Sequence, residues 1–345
     1  MTLDFKLDFY NIAKCGFYEG GAFNTDFGTV SEMMEDFQNW IIDKPLFQTK
    51  TYDLGQIRDL LPVYCFNLQH NPVTNDYLLV TWNELPFEDG NVPSVNGSEQ
   101  VGSVHINLTP IPENNIPGYA TYFWILPNYN TLITVRPEGQ ALNGHQNLKN
   151  YFAYFLRYFT RYTVFDEATE SFRYSFNDNP EETQIKLYAK FETYLKRKQT
   201  ERDFLINNNQ DIYKIIRKDK FKFVSQETNV PLIEQILRAV LLGGKEPLTV
   251  LEKNYKIELD YDPSREDIIQ IVDKWDLLED DSDVGFKFSG QQGNIVWLSK
   301  TYEKHETSLD IVRNPNEVLD AGVLLELLSN QRERFIRLAN LTPNG

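Results

Sequence analysis

Between Pro62 and Arg136 the chain carries a succession of short runs rich in Val, Leu, Tyr and Trp, each closed by turn-forming residues. That punctuation constrains the fold more than any other feature, because short β-prone runs bounded by Gly, Pro and Asn read as strands. Pro62 to Gln69, Asp76 to Asn83 and Gln100 to Leu108 are three such runs, separated by Asn71-Pro72 and by the loop from Gly90 to Gly97. Tyr119 to Pro127 and Thr131 to Arg136 read as a hairpin turning at Pro127-Asn128-Tyr129-Asn130. Upstream, Leu7 to Cys15 alternates towards Gly16. Phe27 to Ile42 places Val30, Met33, Met34, Phe37, Trp40 and Ile41 at helical spacing, with Ser31 near the start and Lys44-Pro45 at the end. An antiparallel sheet with a helix on one face is the economical arrangement.

From Asn143 the period becomes helical, with Leu148, Phe152, Phe155, Leu156 and Phe159 on one stripe. Thr163 to Asn179 reads as strand or loop. The spacing of Ile185, Tyr188, Phe191 and Leu195 predicts a long helix from about Glu181 to Arg202, and Val230 to Leu242 predicts a short one closed by Gly243-Gly244. The tail reads as strand (Tyr255 to Tyr261), helix (Ser264 to Leu278), strands at Val284 to Ser289, Asn294 to Ser299 and near Leu309 to Val312, and a last helix from Asn316 to Leu338. The expected class is α+β in three parts: an N-terminal α+β domain over 1–164 with an antiparallel sheet and helices, a helical basic middle over 165–250, and a small C-terminal α+β unit over 251–345.

Charge is distributed unevenly along the chain. Lys186 to Lys222 holds eleven Lys or Arg against five Asp or Glu, a local charge of +6 in a chain of −16, so the remainder carries −22. No stretch approaches the roughly 18 apolar residues a membrane helix needs, and Asp4, Lys6 and Asp8 stand where a signal peptide has its apolar core. A soluble, cytoplasmic protein without membrane insertion is expected. Cys15 and Cys65 sit beside apolar residues and outside any Cys-x-x-Cys pair, which fits buried reduced thiols.

The common catalytic motifs are absent from the sequence. His70, His105, His145 and His305 are too scattered for a local metal site, and His305-Glu306 lacks the second histidine of a zinc protease helix. Gly243-Gly244-Lys245 fails as a phosphate loop, with Ala239 at the first glycine position and Glu246 where Ser or Thr must hold magnesium. Glu279, Asp280, Asp281 and Asp283 fail as a calcium loop at Gly285. There is no G-x-S-x-G elbow. Glu258 and Asp260 with Lys253 or Lys256 leave open a nuclease with an unrecognised carboxylate site, and no cofactor or metal is expected.

What remains is the basic segment. Lys186, Lys190, Lys196, Arg197, Lys198, Arg202, Lys214, Arg217, Lys218 and Lys220 are interleaved with aromatic residues such as Tyr188, Tyr194 and Tyr213. An array of that kind holds phosphates, since each neutralised phosphate releases a condensed counterion whatever the base sequence. The first expectation is therefore a non-enzymatic protein that binds nucleic acid, DNA before RNA, through these ten residues. The alternative is an acidic interaction or inhibitor protein whose basic helix mediates assembly with a second subunit or another partner.

In element order the chain resembles the Rex-type (RexA-like) phage-exclusion proteins, and more loosely KwaB of the Kiwa antiphage system. The resemblance rests on Gly16-Phe17-Tyr18 after the first strand, on Tyr77 to Trp82 and Tyr122 to Leu126 in the sheet, and on Gly293-Asn294-Ile295 and Leu298-Ser299 ahead of a helix opened by Asn316-Glu317. It implies a homodimer that binds DNA with little sequence preference in abortive infection or antiviral defence, and supplies no catalytic residues. The sequence departs from that family in being longer and more acidic.

Overall fold

The computed structural model describes residues 2–22, 24–53, 60–86, 90–95, 106–167, 170–176, 187–224, 250–276, 283–289, 295–298, 302–313 and 318–344. In chain order these form β1 (Thr2–Glu19), α1 (Val30–Ile41), β2 (Val63–Asn71), β3 (Asp76–Glu84), β4 (Asn91–Val95), β5 (Ile106–Pro110), β6 (Gly118–Leu126), β7 (Thr131–Pro137), α2 (His145–Tyr158), β8 (Thr163–Asp166), β9 (Ser171–Tyr174) and β10 (Leu187–Leu195). There follow α3 (Gln199–Asn207), β11 (Ile212–Val224), β12 (Val250–Asp260), α4 (Arg265–Asp276), β13 (Asp283–Phe288), β14 (Ile295–Trp297), β15 (Lys304–Asp310), α5 (Ala321–Asn330) and α6 (Arg332–Leu338). Antiparallel sheets and separate helices make this an α+β fold. The chain divides into two compact units, Met1–Lys196 with Glu303–Gly345, and Arg197–Tyr302. The sequence places its divisions at 164 and 250; the structure places them at 196 and 302.

The first unit is built on a seven-stranded sheet in the order β10-β1-β7-β6-β3-β2, with β15 also beside β1. The hairpin at Pro127 to Asn130 is as expected, Asn130 taking the left-handed conformation that asparagine tolerates. One expectation is corrected: helices cover both faces of the sheet. Leu78, Val80, Tyr122 and Trp124 point to a core shared with α5 and α6. Leu79, Phe123 and Ile125 point to a second core with Met33, Met34 and Phe37 of α1 and Phe152 and Phe155 of α2. Apolar residues at consecutive strand positions demand this, because successive side chains leave opposite faces.

α1 begins at Val30, capped by Thr29, whose side chain accepts from the Glu32 N–H. It reaches β1 through two glycines: a methyl on Gly28 would lie 2.8 Å from Gly16 Cα, and both residues have positive φ, so neither position admits a side chain. The last helix is two helices, opened by the Asp320 side chain accepting from Val323 N–H; 314–317 lie outside the described residues.

The helix expected over 181–202 is also corrected. Residues 187–195 form β10, paired antiparallel with β1, and α3 starts only at Gln199. Leu187, Ala189, Phe191, Thr193 and Leu195 alternate as well as Tyr188, Phe191 and Leu195 repeat, and pairing with β1 decides between the two periods. Residues 181–186 and the helix expected at Val230 to Leu242 lie outside the described residues.

The second unit is a four-stranded antiparallel sheet, β12-β11-β13-β14. Leu205 and Ile206 of α3 and Ile268, Val272 and Trp275 of α4 pack on one face of it, against Ile212, Val284, Phe286 and Phe288. Among the described residues of both units, no helix is long and apolar enough to cross a membrane.

Candidate nucleic-acid interface

The basic stretch after Asp211 is a strand, and the period of two sorts its side chains. Ile212 and, beyond a register shift between it and Lys214, Ile215 face the core, while Lys214, Ile216 and Lys218 alternate onto the other face. Register fixes their neighbours. Lys214 pairs with Asp260 of β12 and Lys287 of β13; Ile216 with Glu258 and Gly285; Lys218 with Lys256 and Asp283. Gly285 in turn pairs with Trp297 of β14. Three rows therefore cross the sheet, a central row of Glu258, Ile216, Gly285 and Trp297 with lysines on either side.

Glu258 is the hub of this face. Lys214 Nζ lies 3.3 Å from its carboxylate and Lys287 Nζ 3.6 Å, and Lys256 makes a third ion pair. Hydrogen bonds from Lys256 and Lys214 hold the Glu258 carboxyl down at about 2. Lys214 also reaches Asp260 at 3.1 Å, and Asp260 and then Glu258 push its ammonium pKa upwards. Three ammonium groups from three adjacent strands thus converge on one glutamate. Lys218 lies with Nζ 4.0 Å from the Trp297 ring centroid, a cation–π contact. Trp297 packs over Gly285, where an added methyl would meet Cε3 at 2.8 Å.

The described members of the ten expected residues do not share one face of a single unit. Lys190 and Lys196 belong to the first unit, and the other described ones to the second. Lys190 Nζ is 5.8 Å from the Tyr18 ring. Lys196 is half-buried, which lowers its pKa, while Glu303 pulls it back up. Arg197 is buried, donates from Nη1 to Leu298 O at 3.1 Å and lies over Trp275 and Tyr302. Lys198 precedes α3, and Arg202 of that helix pairs with Asp273 at 3.1 Å. Arg217 is exposed and pairs with Val284, on the face opposite Lys214 and Lys218. Lys220 continues β11, and Lys186 lies outside the described residues.

Lys256, Lys287 and Trp297 join this face although they lie outside the basic segment. The signal for them was the alternation within Tyr255 to Tyr261, Val284 to Ser289 and Asn294 to Ser299, which fixes their face once the strands are paired in the order β12-β11-β13-β14. Cys15 and Cys65 are free and buried, and burial pushes both thiols up, Cys65 to about 12. Among the described residues no three His, Cys, Asp or Glu side chains gather in a metal-binding group. Compared with known proteins, the chain gives no significant match to any family model, curated protein or solved structure.

Proposed function

We propose that this chain is a non-enzymatic nucleic-acid-binding protein that contacts phosphates through the lysine face of its second unit. The observation that supports it most is the convergence of Lys214, Lys256 and Lys287 on the single carboxylate of Glu258, with Lys218 beside them. Lysines that share one counterion retain capacity for another, and a phosphate can take the place of an ion or water in their shell. The acidic remainder of the chain repels a polyanion elsewhere and favours this face over others. A homodimer acting in phage defence or abortive infection is the setting that the Rex-type resemblance implies.

The test is retention of labelled DNA and RNA across a salt series. Binding should fall steeply with salt, and Lys218→Glu with Lys287→Glu should weaken it alike for all sequences while reducing the salt slope by about 2. Affinity that is flat from low to moderate salt would refute phosphate contact. The second reading, an acidic interaction protein assembled through its own cations, draws on the Arg202–Asp273 and Lys214–Asp260 pairs. It expects the double variant to change self-association by light scattering, with no nucleic acid retained by the parent protein.

A further inference from the structure

Trp297 sets this sheet face apart from a plain lysine patch. Its indole is half-buried over Gly285, in the same row as the fully buried Ile216. The row on one side carries Lys214 and Lys287 with Asp260, the row on the other Lys218 and Lys256 with Asp283, so lysines outnumber carboxylates in both. Lys214 and Lys218 are four residues apart on one strand, about 13 Å, so cations stand on both sides of an aromatic surface. From this geometry we infer that the face takes single-stranded nucleic acid, a base stacking on Trp297 while flanking phosphates engage the two lysine rows. The inference rests on the nucleic-acid reading above and narrows it.

A duplex keeps its bases in its own stack and presents only phosphates, so an indole on the protein adds little to its binding. A single strand offers every base's π-face, and sheets that expose an aromatic among cations hold such strands with little regard to sequence. Lys218 now covers part of the indole at 4.0 Å. An exposed cation–π contact is weaker than base–indole stacking, and the displaced ammonium gains a phosphate, so the exchange runs towards the bound strand.

The experiment uses the full chain with three fluorescent probes of equal length, an oligothymidylate, an oligouridylate and a duplex, read by anisotropy across a salt series. At least one single strand should bind about tenfold tighter than the duplex, and the tighter one assigns DNA or RNA as the source. Trp297→Leu, which keeps the apolar cover over Gly285 without a π-face, should lose about tenfold on that strand with an unchanged salt slope, and Trp297→Phe should recover most of it. Duplex binding as tight as both single strands, or a neutral Trp297→Leu, would overturn the inference and leave phosphate binding standing. Retention of none of the three probes would overturn the nucleic-acid reading itself, and the inference with it.

Discussion

Asp76 has no solvent exposure, and the cation that its carboxylate pairs with is Arg332. Arg332 donates from Nε to Oδ2 at 2.7 Å and from Nη2 to Oδ1 at 3.2 Å, joining the first turn of α6 to the start of β3. Burial raises the Asp76 pKa and the guanidinium draws it back down. Arg332→Met should therefore destabilise the protein by about 3–5 kcal/mol, most of it from the stranded buried charge, and Asp76→Leu added to it should recover much of the loss. Urea unfolding midpoints of the single and double variants check this. His145 is the second residue whose ionisation the fold controls. Its ring stacks on Tyr10 with centroids 3.8 Å apart and shares a hydrogen bond of 2.8 Å with Thr193, and burial, then Lys149, pushes its pKa down to about 4. Between that value and the ordinary 6.5 the unfolded chain holds the extra proton, so stability from this group is present above pH 6.5 and lost as pH falls towards 4. The loss should be on the order of 1–2 kcal/mol, discounted for partial exposure. His145→Gln should be less acid-sensitive over that range than the parent in thermal melts.

At the scale of elements, legibility followed how many partners decide an element's form. α1, α2 and α4 carry apolar stripes that only a helix can bury, and they stand where the spacing puts them. The strands around Tyr77 to Val80 and Tyr122 to Leu126 were equally plain; that both of their faces are covered was written in their consecutive apolar residues and needed only the pleat to be read. β10 was not legible, because Leu187 to Leu195 satisfies both periods and a strand remote in sequence, β1, settles the choice. The candidate site suffered the same way. A helix would have gathered Lys214, Arg217 and Lys218 on one face, three and four residues apart, whereas the strand puts Arg217 on one face and Lys214 and Lys218 on the other. Sequence proximity grouped Arg197 with these lysines, and the fold placed it, itself buried, over Trp275 and Tyr302 instead. Lys256 and Lys287 reached the lysine face through pairings that no local pattern encodes.

On the scale of the whole molecule, the second unit interrupts a strand. β10 runs along β1 until Leu195 stands opposite Tyr10, and β15 resumes with Lys304 opposite Asp8. Phe9, between them, donates its N–H to Glu303 O at 3.2 Å and accepts at its carbonyl from Lys196 N–H at 2.7 Å, so two residues far apart in sequence share the bonds of a single ladder position. Glu303 N–H also donates to Lys196 O at 2.7 Å, which fixes the two ends side by side. Insertions tolerated by a domain are those whose ends meet in this way. Joining Leu195 directly to Glu303 should accordingly give one continuous strand beside β1: Glu303 would supply both bonds to Phe9, Lys304 would stay opposite Asp8, and the alternation of faces would be preserved. Both cores of the first unit lie outside the excised residues. The shortened chain should keep a cooperative thermal transition and its near-ultraviolet dichroism while losing all salt-dependent binding of nucleic acid. A chain that unfolds without cooperativity would show that the first unit needs the second to fold, and one that still retains oligonucleotides would move the binding surface to Lys190 and the first unit.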